Sequence, residues 1–284
     1  MLIYNAAQGG GFKIEDLKVG TVIVTFNPEL ARFKEVIESV STQMDRIFIV
    51  DNNSNNRNEM KKLLKFYSNV EVIENDRNYG IGKGLNVGTK VLKESVDWIL
   101  TLDQDSIVLT DIKDLLRTIN SERVGIISLN YKESSENTSP FYHIKYPIIS
   151  GSIINSEVFK SGIEYREEFF LDHVDTDFDV SVRRRGFEIL VTKEKYLSHQ
   201  WGTITKSTNR RCQNNLRIYL TVRNGTRLFL ERKIDLKTYI LDNVSYTVHF
   251  CKKLKNALLV FVVTLLAFSD GFVDKFIFFE KFKT

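Results

Sequence analysis

The sequence has little cysteine, no basic start and no apolar run long enough to cross a bilayer. Its two cysteines give neither a disulfide framework nor the spacing of a metal site, which suits a reducing cytosol. Residues 1–4 lack the positive charge of a secretory signal, and the glycines at 9–11 interrupt any apolar core. Residues 257–268 form an apolar stretch of twelve residues, short of the ~20 that a transmembrane helix needs. We therefore expect a cytoplasmic protein.

The composition is that of a folded globular protein with an uneven charge. Hydrophobic residues make up 43% of the 284 residues and charged residues 27%, which excludes a disordered chain and fits one large α/β domain or two smaller ones. The net charge is +4, but residues 205–284 carry 15 Lys and Arg against 6 Asp and Glu. A basic C-terminal third indicates a nearby anionic surface, either a phosphate-bearing ligand or anionic lipid. Solvated helix faces would carry the same charge, so the charge alone does not decide.

The chain is organised around residues 98–106, where an apolar run ends in Asp103, Gln104, Asp105 and Ser106. A short apolar run bounded by a polar break predicts a buried strand. Open α/β sheets bind ligands beyond the carboxyl ends of their strands, and carboxylates there suit a divalent cation shared with a substrate diphosphate. An ordinary Asp-rich turn is the alternative.

Two earlier stretches predict a parallel start to the sheet. Residues 19–26 form an apolar, β-branched run, and residues 46–51 form a second run that ends in Asp51. Between them apolar residues recur at helical spacing, after a proline at position 28 that is placed to begin the helix. Strand, helix and strand in this order predict a right-handed parallel crossover. Asp51 is a candidate for a hydrogen bond to a ribose or a base, or for capping the next turn.

A third predicted strand, residues 70–74, leads into the glycine-rich segment 78–86, which opens a helix. Glycines before a helix N-terminus let the backbone approach a diphosphate closely. The spacing is not that of the dinucleotide-binding fingerprint, and no paired acid follows at the expected distance. Lys83 and Asn86 are therefore candidates for phosphate contact or, equally, for packing and capping.

Four aspartates within eight residues form a second acidic cluster, at Asp172, Asp175, Asp177 and Asp179. If a helix begins near Asp172, then Asp172, Asp175 and Asp179 share one face and Asp177 points away from it. Carboxylates gathered on one face raise one another's pKa, which suits a general base. Helix capping is the alternative, and it accounts for one or two of the four.

Further strands are predicted at residues 124–129, 147–154 and 187–191, with a surface loop at 131–140. Small residues at the centre of 147–154 would leave room for a ligand. His199 follows the last of these strands and precedes a flexible glycine. It is a candidate for a metal or phosphate contact, against a purely structural role.

The C-terminal region is predicted to be helical from residue 210 onward. The apolar stretch 257–268 follows lysines at 252, 253 and 255, and residues 276–279 form a second short apolar run. One interpretation is a monotopic anchor, with basic residues on lipid headgroups and an apolar face inserted. The other is a pair of helices packed on the core, which are also candidates for a homodimer contact.

Five motifs resemble, in their order along the chain, the family 2 inverting glycosyltransferases of the GT-A fold, particularly the bacterial rhamnosyltransferase branch. The motifs lie at residues 24–28, 50–54, 78–86, 102–106 and 170–177. Arg183, His199 and the pair Arg223 and Asn224 also stand where this family places them, so the resemblance runs from about residue 19 to residue 224. The branch usually has Glu where this chain has Asp177.

The resemblance implies a sugar-nucleotide donor and a divalent cation, Mg²⁺ or Mn²⁺. The donor-binding residues that it implies are Thr25, Asn27, Asp51, Asn78, Gly80, Lys83, Asn86, Asp103 and Arg183. The metal ligands that it implies are Asp105, as the direct ligand, with Asp103 and His199. Asp175 holds the family's base position, and Asp172 is expected to shape the acceptor site. The chain departs from the branch at Lys83-Gly84 and at Gln200-Trp201, two departures that a different donor sugar would explain.

The fold implied is an α/β, GT-A type, mostly parallel and doubly wound sheet flanked by helices, with a helical, basic and apolar C-terminal extension. The expected boundaries are a lead-in at 1–18, a catalytic domain at 19–208 with halves at about 19–130 and 140–208, and a helical region at 209–284. The enzyme is expected to work at the inner face of the cytoplasmic membrane, in peripheral contact with it, and to have no nucleic-acid partner.

The expected reaction moves a sugar to a hydroxyl of a growing, lipid-linked cell-surface polysaccharide. L-Rhamnose from dTDP-rhamnose is the leading donor, and galactofuranose or a hexose are the alternatives. A sugar-nucleotide nucleotidyltransferase also has paired acids, but it needs a basic Gly-rich loop after the first strand, where residues 25–28 are Thr-Phe-Asn-Pro. A lectin-like or scaffold module would not need the acids at 172–179 alongside those at 103 and 105.

Overall fold

The computed structural model describes residues 17–133, 139–199, 215–241 and 257–273. Several sequence expectations fall outside these ranges: the lead-in up to residue 16, the centre of the predicted loop at 134–138, Gln200-Trp201, the lysines at 252, 253 and 255, and the apolar run 276–279. Within the described ranges the chain forms one central sheet of eight strands, with helices on both faces, and a separate two-stranded sheet.

The strands and helices follow the order expected for an α/β protein. The strands are β1 (Val19–Thr25), β2 (Arg46–Asp51), β3 (Val70–Glu74), β4 (Trp98–Asp103), β5 (Ser106–Val108), β6 (Val124–Asn130), β7 (Phe141–Tyr142), β8 (Ser152–Asn155), β9 (Glu188–Lys195) and β10 (Leu197–His199). The helices are α1 (Leu30–Ser41), α2 (Arg57–Leu64), α3 (Ile81–Leu92), α4 (Ile112–Arg117), α5 (Ser156–Lys160), α6 (Val174–Arg184), α7 (Asn215–Leu230), α8 (Leu236–Tyr239) and α9 (Ala257–Val273).

The central sheet has the strand order β3-β2-β1-β4-β8-β6-β9-β7. Strands β3, β2, β1 and β4 are parallel, β9 is parallel to β6, and β8 and β7 run antiparallel to their neighbours. Every residue of β1 is buried, because a central parallel strand is covered by helices on both faces. The register pairs Thr25 with Asp51 and Val24 with Asp103. The polar residues that end these strands therefore meet at one edge of the sheet.

Two apolar layers flank the sheet, which makes it doubly wound. On one face α1, α2 and α4 contribute buried residues such as Phe33, Met60 and Ile112. On the other face α3, α5 and α6 contribute buried residues such as Leu85 and Phe178. Burying one such side chain stabilises the fold by roughly 1.5–3 kcal/mol.

The glycines of α3 bring this helix unusually close to β1. A Cβ atom at Gly84 would lie 2.7 Å from Val24 Cγ1, and one at Gly88 would lie 2.5 Å from Val22 Cγ1. Because only a hydrogen fits in this space, the glycines allow close helix–sheet packing. Gly84 and Gly88 thus have a packing role, whereas Gly80, at φ 86°, ends the loop before the helix.

Helices α7 and α9 form a third apolar cluster, in which Ile218 and Val222 pack against Val263 and Ala267. The Tyr219 hydroxyl donates to the buried carboxylate of Asp270 in α9. Among the described residues no helix has the length and apolar character needed to cross a membrane.

Three local expectations are wrong in detail. The helix after β1 begins at Leu30 rather than at the proline, because Glu29 caps it by accepting from the Ala31 and Arg32 amides. The strand expected at 147–154 is confined to Ser152–Asn155, since Gly151 turns the chain at φ 80°.

The third correction concerns the acidic cluster, because Asp172 does not lie on a helix. Helix α6 begins at Val174, and Asp172 and His173 precede it with φ angles of 55° and 61°. These left-handed conformations break the helical face that the spacing predicted. Asp175 and Asp179 do share the helix, one turn apart.

Candidate active site

A cavity of about 450 Å³ opens at the edge of the sheet where β1 and β4 end. Its walls come from the ends of these strands, the start of α3, the segment 148–150, the loop before α6 and the start of α7. Four aspartates line it, namely Asp103, Asp105, Asp172 and Asp175. The fold therefore brings both acidic clusters of the sequence, about seventy residues apart in the chain, to one cavity.

Asp103, Asp105 and His199 form a group suited to a divalent cation. Each offers one ligand atom, and the three atoms lie within 4.8 Å of one another. His199 reaches the aspartates because β10 pairs antiparallel with β5, which sets His199 opposite Ser106. Its Nδ1 atom lies 3.9 Å from an oxygen of Asp103 and 3.9 Å from an oxygen of Asp105. Oxygen and imidazole ligands together suit Mg²⁺ or Mn²⁺.

The burial and electrostatics of the group also suit a bound cation. Asp105 Oδ1 is buried and has no hydrogen-bond partner among the described residues. Burial raises the pKa of Asp105, and burial together with the charge of Asp105 raises the pKa of Asp103 to about 7. A divalent cation would relieve this repulsion and satisfy the orphaned oxygen, so the residues fit the metal.

A chain of hydroxyls fixes His199 in place. The Asp103 amide donates to Ser150 Oγ at 2.9 Å, and Ser150 Oγ donates to Ser106 Oγ at 2.7 Å. Ser106 Oγ in turn lies 2.6 Å from His199 Nδ1. Such outer contacts orient a metal-binding imidazole.

Arg32, on α1, ties the two strands of the small sheet together. Its Nε donates to the Asp105 carbonyl at 2.9 Å, and its Nη2 donates to the Ser198 carbonyl at 3.0 Å. The side chain of Gln104 joins the end of β4 to the end of β1, because it accepts from the Phe26 amide at 2.8 Å. Arg32 was not among the candidates from the sequence. It lies on a helix face, and its spacing from residue 105 gives no signal of the contact.

Asp175 and Asp172 both line the cavity, but their surroundings differ. Burial raises the pKa of Asp175, whose Oδ1 accepts from the Thr176 amide at 2.8 Å. Asp172 instead forms an ion pair with Arg217, with Arg217 Nη2 and Nε 3.0 and 3.1 Å from Asp172 Oδ1. A carboxylate with a raised pKa suits a general base, whereas the oxygens of Asp172 are bonded to Arg217 and Thr221.

The other two aspartates of the cluster lie away from the cavity. Asp177 contacts Lys233 Nζ at 2.6 Å, which matches the expectation that it points away. Asp179 is buried one turn behind Asp175, and its burial and the charge of Asp175 raise its pKa well above the ordinary value.

The loop that carries Asp172 is anchored by Asn224 of α7. The amide nitrogen of Asn224 lies 2.9 Å from the Phe169 and Leu171 carbonyls and 3.0 Å from the Asp172 carbonyl. Asn224 is fully buried, and so is Arg223 beside it, whose guanidinium stacks on Phe169. The pair noted in the sequence thus docks α7 onto the active-site loop.

Of the residues expected to bind the nucleotide, Thr25, Asn78 and Gly80 line the cavity together with Asp103. Asp51 lies just beneath, where it accepts from Thr25 Oγ1 at 3.0 Å and from the Ser54 amide at 3.0 Å. The backbone of Asn27 has φ 49°, and its side chain accepts from the Asn55 amide rather than entering the cavity.

Three further residues from the donor set lie outside the cavity wall. Lys83 pairs with Glu167 at 3.0 Å, and the Asn86 side chain bonds both the amide and the carbonyl of Tyr165. Arg183 donates to the Ile144 carbonyl at 2.7 Å. Contact with a donor would require each of these residues to exchange its present bonds.

The sheet is doubly wound, and one cavity at its carboxyl edge holds a metal-ligand group and the carboxylate of Asp175. This arrangement fits a group-transfer enzyme of the glycosyltransferase class. The particular family follows from the sequence: residues 21–190 match the model of "Glycosyl transferase family 2", and the chain belongs to that family. It is therefore a glycosyltransferase, as the motifs led us to expect.

Individual relatives agree with this assignment. The chain is 27% identical over 255 residues to the dTDP-rhamnosyl transferase RfbF of Shigella flexneri, covering 80% of this chain and 85% of the relative. Among solved structures, S. aureus TarS 1–349 in complex with UDP-GlcNAc superposes with a TM-score of 0.62 at 17% identity, covering 90% of this chain and 80% of TarS. The mannosyltransferase PcManGT of Pyrobaculum calidifontis, in complex with GDP-Man and Mn²⁺, superposes with a TM-score of 0.54 at 10% identity, covering 94% and 79%. These structures share the fold, which confirms the expected α/β architecture.

Proposed function

We propose that the protein transfers L-rhamnose from dTDP-rhamnose to a hydroxyl of a lipid-linked glycan, with inversion at the anomeric carbon. The observation that carries this proposal is the cavity itself, which is lined both by the residues of the metal group and by Asp175. The choice of donor is supported by the likeness to RfbF, a dTDP-rhamnosyl transferase. A galactofuranosyl or hexosyl donor would use the same site.

In the proposed reaction some cavity residues bind the donor and its cation, and Asp175 acts on the acceptor. Asp103, Asp105 and His199 would hold Mg²⁺ or Mn²⁺, and the bound cation would supply positive charge to the departing diphosphate. Thr25, Asn78 and Gly80 lie where the nucleotide would bind. Asp175 takes the proton from the acceptor hydroxyl as the oxygen attacks the anomeric carbon from the face opposite the leaving diphosphate. A single in-line displacement inverts the configuration.

A membrane surface is the proposed location of the acceptor. On α9, Val263, Ala267 and Asp270 are buried against α7. The opposite face exposes apolar residues at i, i+4, i+7 and i+11, each about half exposed or more: Phe261, Leu265, Phe268 and Phe272. The two interpretations of this segment are thus compatible, because the helix packs on the protein and still presents an apolar stripe. Such a stripe on a basic region fits peripheral binding to anionic lipid at the inner membrane face.

A donor screen tests the proposed reaction. Purified protein with Mg²⁺ or Mn²⁺ and a lipid-linked acceptor would be given dTDP-rhamnose, UDP-galactofuranose, UDP-hexoses and GDP-mannose, and release of nucleoside diphosphate would be followed. We expect turnover with dTDP-rhamnose to exceed the others. Turnover with UDP-galactofuranose or a hexose donor alone would contradict the rhamnose assignment and keep the transferase site. Nucleoside-triphosphate-dependent formation of a sugar nucleotide would instead support a nucleotidyltransferase.

A further inference from the structure

Arg217 has a position in the cavity that the metal group and the base do not explain. It lies on the cavity wall, and it is the only lysine or arginine there in the part of the chain that the structure describes. Four aspartates line the same cavity. A dianionic diphosphate in this acidic space needs more than one source of positive charge, and Arg217 supplies one besides the cation.

Asp172, one partner of Arg217, is held in place, whereas the side chain of Arg217 is long and partly exposed. Asp172 is held at φ 55° by the Asn224 amide on its carbonyl and by the Thr221 hydroxyl, 3.3 Å from its Oδ2. The side chain of Asp172 is 17% exposed, and that of Arg217 is 41% exposed. A long, half-exposed guanidinium can therefore turn toward the cavity while Asp172 stays in place.

Arg217 and the aspartates of the metal group line the same cavity. A guanidinium in that lining is also near the space that a diphosphate held by the cation would fill. Phosphate and carboxylate oxygens offer the same paired acceptors to the arginine fork, so they compete for it.

We propose that Arg217 binds the diphosphate of the donor and that Asp172 is a counterion of Arg217 before the donor binds. Donor binding exchanges the carboxylate of Asp172 for phosphate oxygens as the partner of the guanidinium. The exchange leaves the carboxylate of Asp172 exposed to the acceptor side of the cavity, next to Asp175. This inference rests on the proposed function, because it takes the ligand to be a nucleoside diphosphate.

Two substitutions with opposite expected signs test the exchange. Binding of dTDP, UDP and dTMP would be measured by calorimetry at saturating Mn²⁺. Arg217→Gln should weaken binding of the preferred diphosphate by about 10–100-fold, and binding of dTMP by less, because the lost contact is with the second phosphate. Asp172→Asn should tighten diphosphate binding several-fold, since it removes the competitor of the phosphate but keeps the side-chain volume. Arg217→Lys keeps the charge and should lie between the wild type and Arg217→Gln.

Arg117→Gln makes the same charge change in an exposed pair with Asp114 on α4, and should leave affinity unchanged. Equal diphosphate affinity in Arg217→Gln and the wild type would overturn the proposal, as would weaker diphosphate binding in Asp172→Asn with an unchanged melting temperature. If Arg217→Gln fails to fold, Arg217→Lys and Asp172→Asn decide. Failure of the wild type to bind any nucleoside diphosphate would instead contradict the donor site itself.

Discussion

Asp172 and Asp175 are three residues apart, yet their surroundings give them different chemistry. Asp172 is paired with Arg217 and precedes the helix, whereas Asp175 lies in the first turn of α6 with a pKa raised by burial. A base must hold a proton during transfer, and the burial that raises the pKa of Asp175 favours its protonated form. The geometry therefore supports Asp175 as the base, and the sequence spacing alone did not separate the two.

Replacing Asp175 by Asn tests this assignment. The substitution keeps the volume of the side chain and removes its basic oxygen, so transfer should fall by about 10²–10⁴-fold. Diphosphate affinity and melting temperature should stay close to those of the wild type. Near-normal transfer by Asp175→Asn, with Asp172→Asn folded but inactive, would show that Asp172 is the base.

The raised pKa of Asp175 also predicts a pH dependence. As the proposed base, Asp175 would act only when deprotonated, so transfer should decline as the pH falls through its pKa. Because burial raises that pKa, the decline should begin above the ordinary carboxylate range of ~4. The measurement is the rate at saturating donor and Mn²⁺, over the pH range in which circular dichroism shows an intact fold. A flat rate down to pH 4 would contradict a base of raised pKa.

The metal group predicts that donor affinity depends on a cation. Wild-type protein should bind a nucleoside diphosphate tightly only with Mg²⁺ or Mn²⁺, and Asp105→Asn should lose most of that dependence. Asp114→Asn removes one carboxylate from the surface of α4 and serves as the control. Calorimetry with and without EDTA provides the measurement, and equal affinity in EDTA would refute the metal role.

The sequence predicted the local parts of this site better than the distant ones. Asp103 and Asp105 were evident because one strand end carries both. His199 was a weaker candidate, since only the pairing of β10 with β5 brings it to the aspartates. The contacts of Arg32 and Arg217 depend on how helices pack against loops far away in the chain, and sequence spacing contains no record of such packing.

At the scale of single elements, apolar periodicity predicted the parallel strands well. The bounds of β2 and β3 agree with the expected ranges 46–51 and 70–74. Short elements such as α2 and β5 were missed, because their few apolar residues form no clear period. The start of α6 was placed wrongly because left-handed residues such as His173 cannot be recognised from charge spacing.

Gly80 supports a prediction about how α3 meets the active-site loop. A Cβ atom there would lie 2.4 Å from the Phe170 carbonyl oxygen, and the residue has φ 86°. Gly80→Ala should therefore lower the free energy of unfolding by about 1–3 kcal/mol through strain and overlap with the backbone. Gly162→Ala is the control, since it has φ 87° but no atom within 4 Å, and should cost less. Denaturant unfolding measures both, and equal losses would show that the contact with Phe170 is unimportant.

At the scale of the whole molecule, the C-terminal helices connect the active site to an apolar surface. Asn224 of α7 holds the loop of Asp172, and Tyr219 of α7 bonds Asp270 of α9. The apolar stripe on α9 thus lies on the same packed unit that positions part of the catalytic cavity. An acceptor carried on lipid would be presented near that unit if the stripe contacts the bilayer.

Liposome flotation tests this contact and separates the electrostatic attraction from the apolar insertion. Wild-type protein should float with anionic vesicles at low salt and float less at high salt, because salt screens the attraction of the basic C-terminal third but not apolar insertion. Replacing Phe261 and Phe268 by Asp should abolish flotation, whereas Phe66→Asp, at a site 88% exposed on the catalytic domain, should leave it intact. The alternative is that the stripe binds a second copy of the chain, and light scattering tests it. A wild-type dimer that dissociates in the double variant, together with no flotation of the wild type at low salt, would show that the stripe binds this second copy rather than lipid.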